Sequence, residues 1–262
     1  MPPFARAWRE TWRRCEAASG AINALQSHMS EWWTYRPSDF LMFAPETYWR
    51  QFELHNTALW PFQLLPPAIL LAWVVAMVRG PAQRHETVLR WGVAGLAVCW
   101  GFVAWALLWQ RYAPINWAAQ AFALLFAAQS LALLGLAARS NLQTTPPSGR
   151  RVFALTLLAW ATLAHPLLAL AFGRPLIQAE LFGTAPDPTA LATLGWLLLA
   201  EARSRSGRGL LWTLQAMALV WCAISAATLW TMGSAQGWVL LVAAVLTLSV
   251  LWRWPYARIE RA

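Results

Sequence analysis

Lysine is missing from this chain: all 20 basic residues among its 262 are arginine. Without lysine there is no Schiff base to a retinal or pyridoxal aldehyde, and no P-loop ammonium to hold a phosphate. Charge of either sign is scarce, at 12% of residues against roughly 25% in a soluble globular domain. Cysteine is scarce too. Cys15, Cys99 and Cys222 lie far apart, two of them inside apolar stretches, and offer neither a metal-ligand spacing nor an evident disulfide pair. The HExxH, GxSxG, CxxC, P-loop and Rossmann glycine patterns are all absent. With lysine absent and Ala, Leu and Trp abundant, the composition points to a GC-rich bacterial genome.

What the chain does have is apolar length: 59% of it is hydrophobic. A membrane crossing takes about 20 mainly apolar residues. Seven stretches read as crossings: 57–78, 91–112, 115–137, 152–172, 188–200, 209–230 and 237–252. The gaps between them are short. No separate soluble domain fits, so any site must be built from helix ends and loops. The expected fold is all-α, a polytopic bundle of seven spans forming one domain over residues 29–262.

The arginines alternate between gaps. Arg79, Arg84 and Arg90 follow the first span, and Arg139, Arg150 and Arg151 the third. Arg203, Arg205 and Arg208 follow the fifth, and Arg253, Arg258 and Arg261 the seventh. The other side has only Arg36, Arg50, Arg111 and Arg174. Arginine-rich short loops face the cytoplasm, so the N-terminus is expected outside and the C-terminus inside, in the bacterial inner membrane. The acids run the other way: Glu31, Asp39, Glu46, Glu53, Glu180 and Asp187 outside, against Glu86, Glu201 and Glu260 inside. The net charge of +9 is thus topology, with the lipid bilayer as partner and no nucleic acid. Residues 1–28 break the pattern, with four arginines and no apolar core for a signal peptide. They read as a basic extension, either a start codon placed upstream of Met29 or a surface amphipathic helix.

Residues 30–56 are polar and aromatic, and a Trp-rich interfacial helix is expected from Pro45, well placed as a first helical residue. Pro61, Pro66 and Pro67 should kink the first span. The gap 138–151 reads as a plain polar loop. In the gap after the fourth span, 175–182 can make two helical turns ended by Gly183. Asp187 then serves as N-cap with Pro188 at the first helical position. The fifth span is short, which suits a re-entrant or buried element, because irregular backbone at membrane depth must be covered by protein.

Among the 20 tryptophans, those near span ends (Trp60, Trp91, Trp109, Trp117, Trp212, Trp238, Trp252 and Trp254) read as interfacial belts. Trp100, Trp105, Trp160, Trp196 and Trp221 lie deeper and read as core. Ala97 and Gly101 allow close helix packing. His165 is the intramembrane candidate, since ionisable groups inside spans are functional by default. It precedes Pro166, so bonding to a carbonyl freed by the proline is the structural alternative. On the outer face, Arg50, Glu53, His55 and Asn56 could meet Arg174, Glu180 and Asp187. Carboxylates beside imidazole can move protons or bind a ligand. Glu53 and His55, two apart, cannot share a helix face, so no metal site is expected, nor any cofactor.

Two segments carry a resemblance. EWWTYRPSDFLMFAPETYWRQFELHNTALWP (31–61) and GRPLIQAELFGTAPDPTALATLG (173–195) look like a bacterial multi-spanning membrane family of unknown function, domain of unknown function 6064. The resemblance implies an integral membrane location from residue 29 onward, and no reaction or ligand.

Three functions stay open. One is an outward-facing small-molecule binding or permeation protein, not coupled to ions, since the spans hold almost no charge. The second is a membrane enzyme with an outer carboxylate and histidine site. The third is a sensor or accessory subunit.

Overall fold

A computed structural model describes residues 44–138, 142–144 and 146–256. The expected basic extension and the start of the aromatic segment lie outside them. Helix α1 is Pro45–Leu59. Helix α2 is Phe62–Arg79, opening with a 3-10 turn. Helix α3 is Ala82–Tyr112, with π geometry from Val103, and α4 is Ala118–Ala138. Strand β1 is Leu142–Gln143. Helix α5 is Ser148–Ala171, α6 Pro186–Leu198, α7 Arg205–Thr231 and α8 Gly237–Arg253, with strand β2, Glu201–Ala202, between α6 and α7.

Five of these, α2, α3, α4, α5 and α7, are long and apolar enough to cross a membrane, and α8 is a shorter apolar helix. The proline-rich stretch breaks the first span as expected, so α1 ends at Leu59 and α2 starts at Phe62. In α5, Pro166 has no N–H to give and the ladder shifts register. The turn before it is π, Trp160–Ala164, and the next is 3-10, His165–Leu167.

Helix α6 differs from the rest. It has 13 residues, every one buried, and at about 1.5 Å per residue it spans only about 20 Å. Its neighbours are shaped to hold it. Trp196 donates its indole N–H to the Leu89 carbonyl at 3.1 Å, and Gly92 leaves the space its ring occupies. Trp100 donates to Thr193 at 2.8 Å and stacks on Phe126. A helix end inside protein leaves carbonyls without partners. Here Gln215 reaches the Leu194 carbonyl, and the Tyr256 hydroxyl reaches that of Leu197.

The polar loop after α4 is not plain. β1 pairs antiparallel with β2, Leu142 opposite Ala202. Arg151 donates to the Met77 carbonyl, Arg150 to that of Trp254, and Arg90 to that of Ala137. The arginine-rich gaps therefore meet at one end of the bundle. At the other end, Asn56 bonds the carbonyls of Ile177 and Ala179, Arg174 reaches Gln236, and Tyr48 packs on Tyr112.

The tryptophan reading needs two corrections. Trp100, Trp196 and Trp221 are buried as expected, but Trp105 is 61% exposed and Trp160 38%. Trp160 lines an open apolar groove against Trp238, Val242 and Leu246 of α8, so depth along a span does not tell how far a ring is covered. The close approach at Ala97 and Gly101 is real: Ser130 of α4 sits opposite Gly101 and donates to the Ala97 carbonyl at 2.7 Å.

Candidate functional site

The site is built from the irregular segment between α5 and α6. Gly173, at φ +72°, ends α5 in the left-handed turn that glycine adopts without strain. The expected two helical turns over 175–182 shrink to one 3-10 turn, Leu176–Gln178, because Asn56 of α1 takes the carbonyls of Ile177 and Ala179 that a helix would have used. Gly183, at φ +84°, turns the chain into α6.

Asp187 is not the N-cap. The helix starts two residues earlier than expected, at Pro186, with Ala185 as its cap residue and no side-chain cap bond. The Asp187 carboxylate instead crosses to α7, accepting from the Trp221 indole at 2.9 Å and from the Ser225 hydroxyl at 2.7 Å. The buried Glu180 carboxyl lies near enough for its charge to act on it. Thr189 ties the preceding turn to the helix, its hydroxyl accepting from the Gly183 N–H at 2.9 Å.

Glu180 is buried. Gln236, just before α8, donates to its Oε2 at 2.5 Å, while the other Gln236 amide atom accepts from Arg174 at 2.5 Å. Arg174 lies flat over the Trp49 ring, 3.4 Å from its centroid. His165 of α5 brings its Nε2 to 3.7 Å from Glu180 Oε2, long for a hydrogen bond. Neither of its ring nitrogens, nor Oε1 of Glu180, has a hydrogen-bond partner among the described residues. His165 thus faces a carboxylate and not a carbonyl freed by Pro166.

The remaining candidates form the rim. Glu53 pairs with Arg50 and accepts from Gln178 at 3.2 Å, and the Gln178 and Arg50 contacts lower its carboxyl. Asn56 is buried as a clamp on the loop backbone. His55 points the other way, as its spacing from Glu53 requires. It is bonded to the Thr184 backbone, and burial first, then the Arg111 charge, push it down to about 4.

The structure therefore gathers His165, Arg174, Glu180 and Asp187 into one buried cluster. Glu53 touches it through Gln178, and His55 stands beside it. Gln236, Tyr48, Trp221 and Ser225 are partners that sequence reading missed. An indole N–H deep in an apolar span needs an acceptor, and that signal pointed to Trp221; nothing marked Ser225. A narrow aromatic cleft lined by Tyr48, Phe52, Tyr112, Phe122, Trp221 and Ser225 opens beside Pro186, with a cavity of about 20 Å³, room for roughly one water. Among the described residues, no group of three His, Cys, Asp or Glu side chains is arranged to hold a metal ion.

A model of a family described as a family of unknown function, DUF6064, matches residues 45–261. The chain belongs to that family. No curated protein and no solved structure matches it.

Proposed function

We propose that this is a seven-crossing protein of the bacterial inner membrane, N-terminus outside and C-terminus cytoplasmic, which binds a small solute at its outer face and lets it permeate. The observation that carries the reading is the buried half-helix α6, whose first turn brings Asp187 to a polar cluster fed by irregular backbone. Discontinuous helices whose ends meet buried polar groups near mid-membrane are how many carriers hold their solutes. α6 and the segment before it together make the fifth crossing, joining the Asp187 end of the bundle to the arginine-rich end. The orientation follows from the arginine count.

An enzyme reading fits less well. Of the candidate acid and base groups, His55 is turned away from Glu53 and held by burial at about 4, so the expected outer carboxylate and histidine pair is not assembled. The absence of ion coupling was expected from nearly uncharged spans. The buried Asp187 and Glu180 lie in that fifth crossing, so the solute class widens to cations and hydrogen-bond donors.

The test has two arms. An impermeant maleimide applied to whole spheroplasts should label Gln178→Cys and spare Arg205→Cys; the reverse pattern inverts the orientation. Metabolite profiles of a deletion strain should be restored by the wild-type gene and not by Asp187→Asn. Full restoration by Asp187→Asn removes the site from the function.

A further inference from the structure

Between α3 and α4, at the arginine-rich end of the bundle, lies a cleft of about 200 Å³ lined by Thr87, Arg90, Trp91, Ala94 and Ala137. It is about ten times the size of the cleft beside Pro186. A helix end shapes it. The last carbonyls of a helix have no partners within that helix, and α4 stops at Ala138. Arg90 supplies one partner, its Nε–H donating to the Ala137 carbonyl at 3.1 Å. That bond uses one of the five N–H groups of a guanidinium. The other four, on the two terminal nitrogens, have no acceptor among the described residues. Glu86, one turn earlier on α3, is exposed and forms no ion pair with Arg90 among those residues.

A capping arginine needs no more than that bond, but the surface around this one is graded. Thr87, Trp91, Ala94 and Val98 follow at steps of four and three residues and so share one face of α3. Trp91 is 64% exposed and Val98 69%, and on α4 Leu131 and Leu134 are exposed as well. From the helix end toward mid-bundle, the face passes from hydroxyl and guanidinium, through an indole, to bare hydrocarbon. Tryptophan takes that middle place at membrane interfaces. Basic pockets between spans on the cytoplasmic side are where anionic lipid headgroups bind, and a guanidinium with both terminal nitrogens unbonded matches two oxygens of one phosphate.

We propose that this cleft binds an anionic phospholipid. The phosphodiester accepts from the terminal nitrogens of Arg90 and from the Thr87 hydroxyl. The Trp91 ring lies at the level of the glycerol, and one acyl chain runs along Ala94 and Val98 toward mid-bundle. The site is separate from the Asp187 cluster. It takes from the reading above only that α3 and α4 stand in a bilayer; the arginine count then puts the lipid in the inner leaflet.

Native mass spectrometry of the full-length protein in detergent, titrated with phosphatidylglycerol or phosphatidylcholine, tests this. The wild type should hold phosphatidylglycerol about fivefold more tightly, because the choline cancels the phosphate charge; fivefold is what one arginine contributes near an anionic surface. Arg90→Gln keeps an N–H for the Ala137 carbonyl and should erase the preference. Ala94→Phe fills the cleft with the arginine in place and should weaken phosphatidylglycerol at least as much. Arg253→Gln removes an arginine at the same end, outside the cleft, and should bind as the wild type does. Equal binding of the two lipids by the wild type overturns the proposal, as does undiminished binding by Arg90→Gln or Ala94→Phe. An equal loss in Arg253→Gln reduces the effect to general charge attraction and overturns it too. Displacement of the lipid by glycerol 3-phosphate assigns the cleft to a soluble phosphate ester instead. A reversed maleimide pattern at Gln178→Cys and Arg205→Cys moves the site to the other leaflet without touching these affinities, so the orientation and the lipid site fail separately.

Discussion

The two ends of α6 are both buried and both charged, yet they are wired in opposite ways. At the Leu198 end, Arg150 pairs with Glu201, donates to the carbonyls of Ala200 and Trp254, and lies over the Tyr256 ring. Opposite charges meet there, and both terminal nitrogens of the guanidinium are engaged. At the Pro186 end two acids, Glu180 and Asp187, lie buried near one another, and an imidazole stands 3.7 Å from Glu180 with no hydrogen-bond partner among the described residues. A buried pair of opposite sign, fully bridged, fastens chain segments together. A buried pair of like sign needs something added before it is stable. Burial does not separate structure from function here; the sign of the partner does.

The largest expected effect tests the fastening end. Arg150→Ala takes the guanidinium away from the buried Glu201 carboxylate, an expected loss of about 3–5 kcal/mol. The double replacement Arg150→Met with Glu201→Leu removes both charges and should recover most of that. Thermal melting in detergent reads both. If Arg150→Ala melts like the wild type, the ion pair is not what fastens this end, and the contrast collapses.

Next in size is a pH effect at the other end. His55 sits against the Thr184 backbone and is held down to about 4 from an ordinary 6.5. A histidine whose folded value is lowered takes up its proton in the unfolded chain first. Its penalty is therefore absent above about pH 6.5 and grows as pH falls toward about 4. The full loss is roughly 3 kcal/mol. His55→Gln should flatten the melting temperature between pH 7 and pH 5. An unchanged pH slope in that variant assigns the acid lability to other groups.

How much of this the sequence carried follows from the kind of signal. The arginine alternation is a statistic over many gaps, and the contacts of Arg90, Arg150 and Arg151 gather those gaps at one end of the bundle. The convergence of α1 with the segment 173–185 was also legible, because both were polar, aromatic and on one side. Pairings between distant residues were not. Nothing in the sequence couples Arg150 to Glu201, or Gln236 to both Arg174 and Glu180. Asp187 shows the limit most plainly. A local rule made it a helix cap. Two residues of difference in the helix start turned its carboxylate toward Trp221 and Ser225, 34 and 38 positions away.

Smaller effects are expected from conservative changes at the Pro186 end. Asp187→Asn and Glu180→Gln keep the shape and remove a carboxyl from a like-charged pair. Each should cost no more than about 1–1.5 kcal/mol, the order of one net hydrogen bond, while abolishing function. A melting loss as large as that of Arg150→Ala would mean that the acid pair, too, is a fastening.

The smallest predicted effect lies back at the fastening end. Ser204 caps α7, its hydroxyl accepting from the Gly207 N–H at 3.0 Å. Ser204→Ala removes that acceptor at a cost of about 1 kcal/mol. The cap stands directly after β2, so its loss should be felt locally, as faster amide exchange in the first turn of α7 and in Glu201–Ala202. Ser204→Asp restores an acceptor, and its charge also favours a helix N-terminus, so it should exchange as slowly as the wild type. If Ser204→Ala instead speeds exchange around Glu180, the two ends of α6 communicate. Then the half-helix moves as one body, and the division between a fastened end and a working end has to be redrawn.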